Sequence, residues 1–313
     1  MFDVKVSAPG KLFLSGEYAV LEGAPAVIDS VNRRVFAAAT RDNIPQSALI
    51  KEIKSAVTAF LTERSGSPVG QLPNVDIDST GFSISRRKLG IGSSAAVSAA
   101  TTGVLFEWAG LSIEDHRDDI FLVADTAHRA YQNGKGSGAD VATSIFGGTV
   151  IFQVENPIIN VSPLPIHKVF VWTGKSASTV SLVQEVKKLQ EQSPTSYASI
   201  MEELVRLAGS LATAYREENA ADVISLTHAY GNQLDVLGNA AHIPIITATM
   251  HRIADIAKEM NGAFKPSGAG GGDAAMAIFS NASDAHQFSL RISQNGLEVL
   301  DFQTGVSGLC KET

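Results

Sequence analysis

Four glycines lie within five residues near the end of the chain, in the segment 265–273, which reads KPSGAGGGD. Glycine loses more conformational freedom on folding than other residues, so a cluster is expected only where φ must be positive or where a missing Cβ allows a close approach. The apolar run 274–279 follows directly and is typical of a strand. The cluster indicates either a tight turn or a site for an anionic ligand, and the segment alone does not decide between them.

A second glycine-rich segment, 88–100, reads KLGIGSSAAVSAA and leads into an alanine-rich stretch of high helix propensity. This pattern predicts a loop that opens a helix. Ser93 and Ser94 then lie where the first-turn amides lack intrahelical partners and where the helix dipole is positive. Such a helix end attracts phosphate, and the alternative is an ordinary serine N-cap.

A third segment, 8–20, reads APGKLFLSGEYAV and lies close to the start of the chain. We predict strands over 4–7 and 11–15, joined by a turn at Pro9 and Gly10 that holds Lys11 between them. A lysine held between two strands is poorly placed to serve only as a solubilising surface charge. A solvated turn lysine remains the alternative for the segment taken by itself.

In order and content, the three segments resemble the three motifs of the GHMP small-molecule kinase superfamily, which includes galactokinases, homoserine kinases, mevalonate kinases and phosphomevalonate kinases. The resemblance extends over nearly the whole chain. Two further stretches, 135–142 (KGSGADVA) and 171–179 (VWTGKSAST), resemble the phosphomevalonate kinase branch more closely than the mevalonate kinase branch.

Strand and helix signals are mixed along the chain and indicate an α+β fold. The patterns predict strands over 35–39, 76–78, 82–84, 149–153 and 167–172, and helices over 50–61, 95–108, 113–131, 180–190, 197–218, 220–237 and 245–260. A proline-rich stretch from Pro157 to Pro165 suggests a boundary between domains 1–160 and 161–313. The resemblance implies the two-domain GHMP kinase fold, with an N-terminal domain like domain 2 of ribosomal protein S5, a ferredoxin-like C-terminal domain and an active site between them.

The resemblance also implies ATP and Mg²⁺ as cofactors. The residues implied in ATP binding are Gly90, Ile91, Gly92, Ser93, Ser94, Ala95, Gly270 and Gly271. Ser94 is the implied magnesium ligand. Lys11 and Asp140 are the implied catalytic pair, and pairing of this kind keeps the lysine cationic and the aspartate anionic.

A phosphorylated acceptor needs an anion site of its own. The residues that we predict for substrate binding are Tyr18, Lys135, Ser137, Gly138, Lys175, Ser176, Ser178 and Thr179. An ammonium, several hydroxyls and the start of a helix come together at 175–179, and this combination favours a phosphomonoester as the substrate. A plain serine or threonine N-cap is the alternative there.

The activity that the resemblance implies is phosphoryl transfer from ATP to phosphomevalonate, giving mevalonate diphosphate and ADP. Mevalonate kinase is the main alternative, followed by another member of the superfamily or a mevalonate diphosphate decarboxylase. A non-catalytic ligand-binding relative is disfavoured because Lys11, Ser94 and Asp140 are all present. The partial match of 90–95 to the dinucleotide pattern G-x-G-x-x-A is weak, and the chain has no G-x-x-x-x-G-K-[ST] motif.

The formal net charge of −7 argues against nucleic-acid binding, which depends on a basic face. A polyanionic ligand must then meet local positive charge, for which the candidates are Lys11, Arg86, Arg87, Lys88, Lys135 and Lys175. The only cysteine, Cys310, excludes an internal disulfide and favours a reducing cytoplasm. We expect no membrane association and a monomer or homodimer. The seven histidines lack metal-ligand spacing, and we assign them to surface or core positions.

Overall fold

The computed structural model describes residues 4–84, 87–134 and 136–312. Its strands are β1 Lys5–Ser15, β2 Ala26–Thr40, β3 Asn74–Asp78, β4 Ser83–Ile84, β5 Arg87–Lys88, β6 Thr149–Phe152, β7 Ile159–Val161, β8 His167–Trp172, β9 Ala263–Pro266, β10 Ala274–Phe279, β11 Glu298–Leu300 and β12 Cys310–Lys311. Its helices are α1 Ala48–Ser65, α2 Ser93–Trp108, α3 Arg117–Tyr131, α4 Ala139–Phe146, α5 Thr179–Gln192, α6 Pro194–Arg216, α7 Ala220–Ala240, α8 Ala248–Glu259 and α9 Ala282–Gln294.

The first sheet has the strand order β12-β1-β2-β6-β7, and all of its pairs are antiparallel. The long β2 pairs with β6 over residues 26–29 and with β3 over residues 36–40. Helix α2 contacts both β1 and β2. Its alanines, among them Ala95, Ala96 and Ala99, are fully buried, because their small side chains let the helix lie close to the strands. This close packing places the start of α2 beside β1.

The second sheet has the strand order β11-β8-β10-β9 and is antiparallel throughout. Along the chain, helices α5–α8 lie between β8 and β9, and α9 lies between β10 and β11. This is a ferredoxin-like β-α-β-β-α-β arrangement in which the first helical connection is enlarged. The predicted α+β fold is confirmed.

The chain returns to the first sheet at its end. In β12, Cys310 pairs with Ser7 of β1. The guanidinium of Arg34 donates to the carbonyls of Ser307 at 2.8 Å and Gly308 at 2.7 Å, which fixes the returning segment against β2. Strand β7 ends at Val161 in the first sheet, so the division at 160 and 161 stays a prediction.

The predicted turn at Pro9 and Gly10 is wrong. Strand β1 is continuous from Lys5 to Ser15, and its register against β2 shifts between Pro9 and Gly10. Proline has no N–H to donate, and a register shift is one of the places where a sheet tolerates it. Lys11 therefore lies inside a strand, which holds it more firmly than a turn would.

Most of the predicted helices are confirmed, with ends that differ by a few residues. The predicted helix 245–260 begins only at Ala248, because the Thr247 hydroxyl accepts a hydrogen bond from the Met250 amide at 3.3 Å and caps it. Helices α4 and α9 and the first half of β2 were not predicted. Helix α4 has only eight residues, too few to show a helical period. No helix within the described ranges has the length and apolar character needed to cross a bilayer.

Candidate active site

Lys11 and Asp140 come together at the centre of the site. Lys11 Nζ lies 3.3 Å from Asp140 Oδ2 and 4.7 Å from the centre of the Phe13 ring. The lysine side chain is 9% exposed, whereas that of Asp140 is 34% exposed. Asp140 lies in the first turn of α4, where the helix dipole favours a negative charge. The pair therefore presents one oriented ammonium group, and the catalytic roles of both residues stay predictions.

The loop before α2 packs directly on Lys11. The Lys11 amide donates to the Ile91 carbonyl at 2.9 Å. Gly92 has a φ of +79°, and a Cβ at this position would lie 2.8 Å from Lys11 Cε. A Cβ at Gly90 would lie 2.5 Å from Asp273 Cγ, which belongs to the glycine-rich segment near the C-terminus. The three glycine-containing segments thus meet at one place.

The start of α2 carries no side-chain cap. Its N-cap residue is Gly92, and no side chain accepts a hydrogen bond there. The alternative of a serine N-cap is therefore wrong. Residues Ser93, Ser94 and Ala95 form the first turn, whose amides have no intrahelical partner. This helix end has the properties of an anion site.

We expect Gly92→Ala to lower turnover strongly, because the added methyl group would displace Lys11 in addition to straining the left-handed backbone. Gly66→Ala is the matched control, since Gly66 has a φ of +65° and no atom within 4 Å of its added Cβ. Both variants should lose about 1–2 kcal/mol of stability from the backbone alone. Steady-state kinetics and urea unfolding separate the effects, and equal turnover in the two variants would contradict the contact argument.

The glycine-rich segment runs from the end of β9 to the start of β10 and packs on the segments that precede α8 and α5. The amide of Gly271 donates to the Ile245 carbonyl at 2.9 Å, and that of Asp273 donates to the Lys175 carbonyl at 2.8 Å. A Cβ at Gly270 would lie 2.4 Å from the Ile245 carbonyl oxygen. The Gly271 and Asp273 amides therefore donate within the protein. The cluster lacks side chains because it packs closely on the backbone of other segments. A contact of Gly270 or Gly271 with ATP stays a prediction.

A buried ion pair, which sequence reasoning missed, fixes the same segment to β1. Lys265 and Glu17 are 0% and 3% exposed, and the Lys265 ammonium contacts Glu17 Oε1. Lys265 also donates to the carbonyls of Phe13 and Pro266, while Glu17 Oε1 accepts from the Gly268 amide at 3.2 Å. Burial lowers the pKa of Lys265, and Glu17 opposes this effect. The pair joins the segments 8–20 and 265–273.

Tyr18 takes part in the same connection. It is 6% exposed, and its hydroxyl donates to the Ala269 carbonyl at 2.6 Å. Burial raises the pKa of this phenol, with Glu17 as a second cause. Because the hydroxyl is already used, Tyr18 holds the glycine-rich segment in place. Its predicted contact with substrate stays a prediction.

The residues predicted on the acceptor side lie in two loops. In the first, Ser137 Oγ accepts from the Ala139 amide at 3.2 Å, and the Arg129 guanidinium donates to the Ser137 carbonyl. Gly138 follows as the N-cap of α4. Lys135, like the cation candidate Arg86, lies outside the described residues.

The second loop leads into α5. Ser178 is the N-cap, and its hydroxyl accepts from the Ser181 amide at 3.4 Å, so the N-cap alternative is confirmed for this residue. Lys175 and Thr179 are exposed. Ser176 Oγ donates to the Lys88 carbonyl at 3.5 Å, which brings this loop beside the one that precedes α2. The structure thus places an exposed lysine next to the candidate anion site.

His128 is a site residue that sequence reasoning did not identify. It lies on α3, is 6% exposed, and its Nε2 lies 3.0 Å from Ser94 Oγ and 3.1 Å from Gln132 Nε2. Burial lowers the pKa of His128, and the nearby carboxylates of Asp140 and Asp125 oppose this. Spacing along the chain gives no signal for a contact between residues 94 and 128.

Comparison with known proteins agrees with this fold. The family described as GHMP kinases N terminal domain matches residues 51–148. The matched residues include the loop before α2, helices α2 and α3, and Asp140 of α4, and the comparisons indicate a phosphotransferase.

Among the relatives with established names, two phosphomevalonate kinases are each 27% identical to this chain. The one from Streptomyces sp. (strain CL190) aligns over 87% of this chain and 88% of its own length, and the one from Saccharolobus solfataricus over 95% and 96%. A mevalonate kinase from Archaeoglobus fulgidus is 26% identical, over 94% of this chain and 98% of its own length.

Solved structures share the fold. The Lin0012 protein from Listeria innocua has a TM-score of 0.87 and 23% identity, with 99% of each chain covered. Streptococcus pneumoniae phosphomevalonate kinase in complex with phosphomevalonate and AMPPNP has a TM-score of 0.81 and 21% identity, and the match covers 96% of this chain and 99% of that chain.

Proposed function

We propose that this protein transfers the γ-phosphoryl group of ATP to phosphomevalonate and releases mevalonate diphosphate and ADP. The observation that carries the proposal is the Lys11 ammonium, held at 3.3 Å from Asp140 beside the uncapped start of α2. The phosphomevalonate kinase relatives and the ligands of the Streptococcus pneumoniae enzyme support the choice of substrates. We further propose that the protein works in the cytoplasm as a monomer or homodimer.

The chemistry requires positioning and charge neutralisation more than covalent help. The bond from the γ-phosphorus to the β,γ-bridging oxygen breaks, and a terminal oxygen of the acceptor phosphate forms the new bond, so ADP leaves with the electron pair. Lys11 neutralises charge on the transferred group. The acceptor phosphate, with a second pKa of about 6, is already largely dianionic at neutral pH. Asp140 then holds Lys11 and has no proton to remove.

The residues present fit a magnesium ion that arrives with the nucleotide. No group of three or more His, Cys, Asp or Glu side chains within the described ranges could hold a metal alone. Mg²⁺ commonly binds through one or two protein oxygens, substrate phosphates and water. The Ser94 hydroxyl, at the anion-binding end of α2, would supply such an oxygen. When bound, the ion neutralises charge on the phosphates.

We expect Lys175→Ala to raise the KM for the acceptor by about tenfold or more, since a hydrogen bond to a charged group contributes about 1.5–3 kcal/mol. Ser176, the neighbour of Lys175, donates to the Lys88 carbonyl in the loop before α2. Lys175 therefore lies near the start of α2. Lys188→Ala is the matched control, because Lys188 lies on α5 and pairs with Glu185 on the surface. An unchanged acceptor KM in Lys175→Ala would remove this residue from the site.

Mevalonate kinase is the second candidate, because relatives such as the Archaeoglobus fulgidus protein carry that name. An alcohol acceptor would give Asp140 a proton to direct. A coupled assay of ADP release with MgATP distinguishes the two, using mevalonate, phosphomevalonate, mevalonate diphosphate, homoserine and galactose as acceptors. We expect turnover with phosphomevalonate. Turnover with mevalonate alone would overturn the proposal.

A further inference from the structure

One ring nitrogen of His128 contacts two polar groups at the ends of different helices. Its Nε2 lies 3.1 Å from Nε2 of Gln132, the C-cap of α3, and 3.0 Å from Ser94 Oγ in the first turn of α2. The amide nitrogen of Gln132 can only donate, so this contact fits the histidine tautomer that has its proton on Nδ1 and leaves Nε2 as the acceptor. In this tautomer Ser94 also donates to Nε2. The proton of the Ser94 hydroxyl therefore points toward α3.

The direction of this proton decides what Ser94 offers to a cation. A hydroxyl has one proton and two lone pairs, and only the lone pairs can bind a metal ion. With its proton directed to His128, Ser94 keeps both lone pairs for the side on which the first-turn amides of α2 lack partners. The histidine is 6% exposed, so its ring is held in place by packing.

We propose that His128 is a positioning residue for nucleotide-bound magnesium: it accepts the Ser94 proton and so presents the Ser94 oxygen to the ion. The proposal rests on the proposed use of MgATP and does not depend on the acceptor. His128 itself touches neither the metal nor the phosphates. Partners of metal ligands commonly act this way, and their loss typically lowers metal affinity tenfold to a hundredfold.

The test uses two variants that differ by one methylene. The amide of Gln can extend about as far as Nε2, whereas that of Asn ends near the position of Nδ1. Isothermal titration measures the affinity for ATP with Mg²⁺ and for ATP with a chelator present. We expect His128→Asn to bind MgATP about tenfold more weakly with unchanged affinity for metal-free ATP, and His128→Gln to restore most of the difference.

His116→Asn is the matched control, because His116 lies at the other end of the same helix and its Nδ1 contacts Asp119 at 3.0 Å. It should bind both forms of ATP as the wild type does. Equal weakening of both forms in His128→Asn would show a merely structural role and overturn the proposal, as would an unchanged preference for MgATP. No acceptor is present in this titration, so a wrong acceptor assignment would leave its result unaffected.

Discussion

Lys11→Met will lower the turnover number about 10²–10³-fold, the loss that follows removal of one preorganised group from a developing charge. The Lys11 side chain is 9% exposed, and its ammonium is fixed by Asp140 at 3.3 Å and by the Phe13 ring, so it needs little reorganisation during transfer. Methionine keeps much of the length of the chain and removes the charge. Steady-state kinetics at saturating ATP and phosphomevalonate measure the effect.

Asp140→Asn should lower turnover by less than about tenfold, because a dianionic acceptor gives the carboxylate no proton to take. Its effect is limited to weaker orientation of Lys11. Lys5→Met is the control for the strand, since Lys5 is exposed on β1 with its ammonium over the Phe36 ring at 5.2 Å. It should retain full turnover. Near-total loss from both Lys11→Met and Asp140→Asn would instead indicate that Asp140 acts as a general base.

Lys265→Met will cost about 3–5 kcal/mol of the free energy of unfolding, because it leaves the Glu17 carboxylate buried without its cation. Glu17 is 3% exposed, and its Oε2 has no hydrogen-bond partner among the described residues. The remaining Gly268 amide, at 3.2 Å, satisfies only one oxygen. Urea unfolding followed by circular dichroism measures the change.

The double variant Glu17→Gln/Lys265→Met should recover much of this loss, because it removes both charges together. Lys188→Met is the surface control: its partner Glu185 is 2.7 Å away, but the two side chains are 57% and 36% exposed, so the urea midpoint should stay unchanged. A small loss in Lys265→Met alone, equal to that of the double variant, would mean that the two charges do not stabilise each other.

Much of the site could be predicted because its parts are local. The loop and helix at 88–100 depend on glycines, serines and alanines that are neighbours in the chain, and the structure confirms α2 there. The resemblance placed Asp140 beside Lys11 although 129 residues separate them, and the distance of 3.3 Å confirms that proximity. The family motifs at 8–20 and 135–142 carried that prediction, since no periodicity connects the two positions.

Other parts could not be predicted because they depend on which surfaces pack together. Gly272 is required by the Lys175 carbonyl, which lies 2.6 Å from its hypothetical Cβ. Pro9 suggested a turn, yet β1 continues through it, and its register against β2 shifts between Pro9 and Gly10. Tyr18 and Ser178 are residue types that often contact ligands. Here the Tyr18 hydroxyl donates to the Ala269 carbonyl, and the Ser178 hydroxyl accepts from the Ser181 amide.

The sequence by itself determined where the backbone must be bare and where a helix must begin, because conformational freedom and helix propensity are properties of neighbouring residues. Tertiary structure alone decided which groups face each other. It set His128 against Ser94 and Lys265 against Glu17, and it packed the C-terminal glycine cluster on the backbone of Ile245 and Lys175. Such contacts depend on the packing of distant elements, and a single sequence holds no local signal for them.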